Sequence, residues 1–232
     1  MRGARLAPVH LLRRGVVTGL VVLAAIVVST AAAGRNDSFR DDFASFDAKR
    51  WVEITRPFGH GAVDAANVDV SGGLLRIRMP AGRLDGGELR TITGQYRYGS
   101  FVARMKIADA PSSLTAFFLY RQPDYEQELD IELFNDSTRR VMFTTYNGGA
   151  QTNTVTKLLP FDATAGFHDY RIEWDSRSVR FVVDGAEMQR WTSGVTRTAM
   201  YVFVNAWFPS WLGGERPATD RYTEVDWVQH VG

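Results

Sequence analysis

The sequence predicts an all-β chain, two large antiparallel sheets packed face to face as a sandwich or jelly roll. Three observations predict it. From Ser38 onward no long stretch carries the i, i+3, i+4, i+7 apolar spacing of a helix. Short β-branched and aromatic segments recur instead between Gly, Asp, Asn and Pro breaks. Many of these segments alternate apolar with polar residues, as a sheet with one buried face requires. So many strands at regular spacing are the mark of paired antiparallel sheets.

The elements follow in order. The first clear strand is 74–79, Leu-Leu-Arg-Ile-Arg-Met, followed by 100–107, Ser-Phe-Val-Ala-Arg-Met-Lys-Ile. The more apolar 114–120 and the segment 140–146 come next, each rich in aromatic and β-branched residues. Segments 170–174 and 179–183 follow, and Asp184-Gly185 after Val183 is a hairpin-turn signal. The last two strands are 200–207 and 222–228. There is no internal repeat, no low-complexity tract and no linker to a second domain.

Composition narrows the function. The 232 residues carry 27 basic and 26 acidic side chains, a formal +1, and are 45% hydrophobic and 12% aromatic. That balance excludes a disordered tail, a collagen or a coiled-coil rod. It gives no electrostatic case for a nucleic-acid partner. Zero cysteine excludes disulfides, zinc thiolate sites and Cys nucleophiles.

Residues 1–33 are expected to lie outside the folded domain, which then spans 34–232. Arg2, Arg5, Arg13 and Arg14 precede an apolar run that ends in Ser29-Thr30-Ala31-Ala32-Ala33. Basic start, apolar middle and A-x-A site are the parts of a secretory signal peptide. Cleavage leaves 23 basic and 26 acidic residues, a net −3. The alternative is that 15–33 stays as a membrane anchor, since its length approaches the roughly 20 residues of a spanning helix. Either way the expected location is secreted or extracytoplasmic.

One segment departs from an ordinary strand, Glu126-Gln-Glu-Leu-Asp-Ile-Glu-Leu-Phe134. Leu129, Ile131 and Leu133 mark one face as core. Period two then puts Glu126, Glu128, Asp130 and Glu132 together on the other. Like charges aligned on a sheet repel, so folding alone does not ask for them. Three readings stay open on spacing: a solvated acidic face, a cation site, or a pair of catalytic carboxylates with a helper between. Retaining glycosidases hold such a pair about 5–5.5 Å apart. Cα atoms at i and i+4 on a strand are roughly 13 Å apart, a gap that two converging Glu side chains can largely close.

The residues also resemble a known family. Glu128-Leu-Asp-Ile-Glu132 is similar to the signature of glycoside hydrolase family 16, and its surroundings resemble the bacterial lichenases (endo-β-1,3-1,4-glucanases) of that family. Gly86-Gly-Glu-Leu-Arg-Thr91 and Tyr98-Gly-Ser-Phe-Val-Ala-Arg-Met-Lys106 resemble their G-G-E-x-R-T and Y-G-x-x-x-x-R-M-K segments. Phe167-His-Asp-Tyr-Arg-Ile-Glu-Trp174, Val183-Asp-Gly185, Asn205-Ala-Trp207, Trp211-Leu-Gly213 and Asp226-Trp-Val228 match in family order, over about 40–230.

The resemblance implies a concanavalin A-like jelly roll with a concave glycan-binding cleft, and retaining hydrolysis of a β-glycan. Glu128 becomes the nucleophile, Glu132 the general acid/base and Asp130 the residue that tunes them. The order without an extra residue before the last Glu resembles lichenases and xyloglucan-acting members rather than laminarinases or agarases, which carry a bulged E-x-D-x-x-E. No cofactor is required. A structural calcium occurs in some relatives, and Asp226 is its candidate ligand here.

Binding residues have two readings each. Trp207 and Trp211 suit the C–H faces of sugar rings, while six Trp and 14 Phe must also fill a core. The resemblance favours ligand contact for both. Glu88 and Arg90, which could be a plain ion pair, become candidates for binding sugar hydroxyls. Tyr120, Tyr146, Asn205 and Phe118 join them. His60, His168 and His230 show no metal-ligand spacing. The chain departs from the lichenase pattern at Glu126, where a Trp is usual, at Thr144, at Phe208-Pro209 and in the short 57–67 region. These positions bear on the substrate more than on the chemistry.

The expected function is an endo-acting β-glycan hydrolase on a β-glucan or microbial exopolysaccharide, working as a monomer with the polysaccharide as partner and no membrane partner unless 15–33 persists. A transglycosylase remodelling a cell-surface polysaccharide is the alternative on the same site. A non-catalytic jelly-roll lectin is a third, and it has no use for an acid/base pair.

Overall fold

In the computed structural model, the described residues are 38–232; the expected signal segment at 1–33 lies outside them. Their strands begin with β1 (Phe39–Asp41), β2 (Trp51–Glu53), β3 (Arg56–Phe58) and β4 (Gly61–Val63). A single 3-10 turn, Ala65–Asn67, precedes β5 (Val68–Ser71), β6 (Leu74–Met79), β7 (Gly87–Thr91) and β8 (Gly99–Lys106). The middle of the chain forms β9 (Leu114–Arg121), β10 (Gln127–Phe134), β11 (Arg140–Asn147) and β12 (Gln151–Leu158). The last are β13 (His168–Trp174), β14 (Val179–Val183), β15 (Ala186–Trp191), β16 (Tyr201–Trp207) and β17 (Arg221–Val231).

They build the expected jelly-roll sandwich. One sheet runs β15-β14-β13-β8-β17-β6-β5, with β1 also on β17; the other runs β12-β11-β10-β9-β16-β7-β2. Strands β3 and β4 make a separate hairpin. The inward faces supply one apolar core. Phe117, Leu119, Leu129, Ile131, Leu133, Phe143, Val202 and Val204 come from the seven-stranded sheet. Ile77, Phe101, Met105, Tyr170, Ile172 and Phe181 come from the other. Each is fully buried, and the period of two that selects them commits their neighbours to the outer faces.

Two local features follow from the sequence. Asp184 and Gly185 both take positive φ, 47° and 80°, and close the β14–β15 hairpin with the twist that suits its strands. Glu126, in contrast, does not extend the acidic row. It sits in the turn before β10, its N–H bonded to the Pro123 carbonyl at 3.1 Å, so the strand starts one residue later.

Candidate active site

Strand β10 is paired on both sides without a register shift. Glu128 lies opposite Tyr120 of β9 and Tyr146 of β11, Asp130 opposite Phe118 and Thr144, and Glu132 opposite Ala116 and Met142. Strand β16 continues each row on the far side of β9: Tyr201 beside Tyr120, Phe203 beside Phe118, Asn205 beside Ala116. This regular grid is what an unbulged Glu-x-Asp-x-Glu produces. All three carboxylates therefore stand on one face, the floor of a cleft of about 430 Å³.

The floor withholds water from its charges. Burial first, and then the charge of Glu132, push Glu128 up to about 8, while a hydrogen bond from Asp130 pulls it the other way. Burial pushes Glu132 up to about 7. Asp130 is only 5% exposed and is held well above the usual carboxylate range by burial, by the charges of Glu128 and Glu132, and by that same hydrogen bond. Its Oδ1 has no hydrogen-bond partner. The three compete for charge, so protons leave in steps that belong to the group. A protonated Asp130 donating to Glu128 is the arrangement that leaves Glu128 free to be the anion.

The neighbouring tyrosines are drawn into the same field. Burial and the adjoining carboxylates raise both phenols, Asp124 acting on Tyr120 and the trio on Tyr146. Both stay neutral donors. The Tyr120 hydroxyl binds Asp124, which ties the loop before β10 to the floor.

Beside this floor stands a wall that the sequence reading did not foresee. Phe58 stacks on Trp207 with ring centroids 4.0 Å apart and 25° between planes. The Arg56 guanidinium lies 3.9 Å over the other face of Phe58. Arg56 Nη2 also reaches both carboxylate oxygens of Glu88, at 3.2 and 3.1 Å. Gly59 makes the approach feasible: its φ is +63°, and a Cβ there would sit 2.0 Å from the Phe208 carbonyl oxygen. The hairpin is then fastened by the His60 N–H to Phe208 O at 2.8 Å and by the His60 ring to Leu212 O at 2.8 Å.

The expected binding residues divide accordingly. Trp207, Trp211, Asn205, Tyr120, Tyr146 and Phe118 line the cleft. Trp211 is the open one, 55% exposed and in a T-shaped contact with Phe134, and Trp207 is half-buried with one face taken by Phe58. Glu88 and Arg90 stand behind the wall instead. Glu88 is 1% exposed and held by Arg56 and by the Asn205 amide at 3.0 Å. Arg90 turns to the Thr91 carbonyl and the Tyr201 ring. They are not the ion pair with each other that their spacing allowed. Asn205 Oδ1 is left buried and unpartnered, an acceptor in the cleft wall.

Arg56, Phe58, Asp124, Tyr125, Met142, Gln151, Ala116 and Phe203 also line the cleft. Ala116, Phe203 and Met142 were reachable by period two from Phe118, Asn205 and Thr144. The others come from the β3–β4 hairpin, the turn before β10 and the edge strand β12.

The calcium expectation rests on Asp226 together with backbone carbonyls. Asp226 lies on the other sheet with its carboxylate 3.3 Å from Arg104, which already neutralises it. Among the described residues no cluster of three or more His, Cys, Asp or Glu could hold a metal ion.

Comparison with known proteins agrees with this architecture. The family model for glycosyl hydrolases family 16 matches residues 60–229. A β-glucanase of Bacillus subtilis (strain 168) is 29% identical over 231 residues, covering 93% of this chain and 95% of that protein. One from Paenibacillus polymyxa is 32% identical over 165 residues, 68% of this chain and 69% of its own length. The solved Bacillus licheniformis β-glucanase superposes with a TM-score of 0.76 at 26% identity, over 84% of this chain and 98% of that one. A β-1,3-1,4-glucanase (lichenase) derived from a mouse hindgut metagenome gives 0.71 at 26%, over 83% and 98%.

Proposed function

The chain belongs to glycosyl hydrolase family 16, and from that premise we propose that it cleaves a neutral β-glucan internally, with retention, outside the cytoplasm. The observation that carries this reading is the unbroken row of Glu128, Asp130 and Glu132 on a cleft floor. Glu128, in its ionised form, which the hydrogen bond with Asp130 favours, attacks the anomeric carbon of the sugar above it. The glycosidic C–O bond breaks as Glu132 gives its proton to the departing oxygen. Water then enters, Glu132 takes one of its protons, and the oxygen attacks the same carbon while the bond to Glu128 breaks. Two inversions return the β configuration.

Mixed-linkage β-glucan is the first substrate to try, because the β-glucanases above share nearly the whole fold. Charge supports a neutral polymer. Glu128, Asp130, Glu132 and Asp124 face the cleft, and Arg56 is already neutralised by Glu88. An acidic exopolysaccharide meets repulsion there. The chain acts as an exported monomer; the mature product is expected to begin near Gly34, and an intact Met1 on membrane-bound protein contradicts cleavage.

The test is digestion of lichenan followed by proton NMR of the first products. Retention gives β reducing ends that later mutarotate. Initial α ends refute retention, and no new reducing ends on any neutral β-glucan refutes the hydrolase.

A further inference from the structure

Tyr125 is a large aromatic residue that the fold does not need where it stands. It is 58% exposed, it lines the cleft, and it contributes nothing to the core between the sheets. Its backbone is in the left-handed region, φ 63°, which strains a non-glycine residue. The turn that imposes this is held from two sides. The Glu126 N–H bonds the Pro123 carbonyl at 3.1 Å, and the Gly148 N–H bonds the Glu126 carbonyl at 2.8 Å. Asp124 anchors the same turn to the floor through Tyr120. The result is a ring leaning on Tyr146, centroids 5.3 Å apart at 39°, and Tyr146 is the direct neighbour of Glu128. Trp211, beside Phe134, occupies the opposite, Glu132 end of the row.

We propose that Tyr125 is a specificity-determining platform on which one pyranose ring of the substrate stacks, beyond the Glu128 end of the catalytic row. The ring it suits is β-linked and gluco-configured. All its hydroxyls are equatorial, so both faces present axial C–H groups to an aromatic surface. An axial hydroxyl on the stacked face would point into the phenol and be stripped of water. The proposal rests on the glucan-hydrolase reading above and refines it: Tyr125 sets how long a chain the cleft grips.

Tyr125→Gly removes the ring and also relieves the φ strain, whereas Tyr125→Phe keeps the ring and loses only the hydroxyl. Both are compared with the unaltered chain on β-gluco-oligosaccharides of increasing length and on a short activated aryl glycoside. For the Gly variant we expect kcat/KM on long oligosaccharides to fall roughly tenfold, with the step gained at one particular chain length gone. The short glycoside stays within about twofold, and the Phe variant stays within about twofold throughout. Full retention of length dependence in the Gly variant overturns the proposal. So does an equal loss on every substrate, which marks a structural role through Asp124 and Tyr120. If the unaltered chain turns over none of these compounds, the hydrolase reading fails instead.

Discussion

Asp130 shares a hydrogen bond with Glu128, two residues along the same face of β10, and burial first, then the charges of Glu128 and Glu132, hold its carboxyl well above the usual carboxylate range. The consequence reaches the chemistry directly, since that bond is what opposes the upward push on Glu128.

Replacing Asp130 therefore has a signed effect. Asp130→Ala removes a cause that lowers Glu128, so the acid limb of the rate profile, where Glu128 ionises, moves to higher pH. Asp130→Asn retains an N–H donor and moves that limb less. Both lose rate, the Ala variant on the order of 100-fold. Rate profiles of the two variants between pH 4 and 9 are the check; an unmoved acid limb in Asp130→Ala contradicts the role.

The same burial makes Glu132 costly to the fold. Its folded pKa is raised to about 7, above the unfolded value, so its penalty is absent below about pH 4.5 and grows as pH rises toward 7. Glu132→Gln should then raise stability at pH 8 by on the order of 1–3 kcal/mol and change it little at pH 4. Denaturant midpoints across that range measure this. Equal effects at both ends would show that burial is not the cause.

Trp207 and Trp211 should respond differently to truncation. Trp207→Ala takes away the ring on which Phe58 stacks, and is expected to cost about 2–3 kcal/mol of stability, below the figure for a fully buried Trp. Trp211→Ala leaves stability within about 0.5 kcal/mol, as at other exposed positions. Both raise KM for a polymer. Chemical denaturation beside steady-state kinetics separates the two, and a large stability loss at Trp211 refutes the assignment.

Arg56→Met strands Glu88 as a buried, unpaired carboxylate. It should cost about 2–4 kcal/mol, and adding Glu88→Gln should recover much of that loss. A double-mutant cycle by thermal or chemical denaturation reads the recovery. Additive losses contradict coupling.

Much of this was legible in the sequence because period two is simple to read where one face is core. The alternation in 74–79 and 179–183 gives the bounds of β6 and β14, and the Leu129, Ile131, Leu133 face fixes which carboxylates meet. Strand β12 escaped because it is an edge strand rich in Thr, Gln and Asn, none of whose own residues is fully buried. The wall escaped for another reason. Arg56 meets Glu88 across 32 residues of chain through a hairpin closed by Gly59, and no local pattern encodes such a contact. The resemblance makes Glu88 a candidate for binding sugar hydroxyls; in the structure it is 1% exposed and pairs with Arg56.

In the proposed mechanism Glu128 forms the covalent bond and Glu132 moves the proton. The direct measurement is turnover of an aryl β-glucoside oligomer with a good leaving group by Glu128→Gln and Glu132→Gln, with and without azide. Glu132→Gln should release the aryl group in a first rapid turnover, and azide should restore steady turnover with a β-glycosyl azide as product. Glu128→Gln should be inactive on every substrate. Identical behaviour of the two variants, or a β-glycosyl azide from Glu128→Gln, contradicts the assignment.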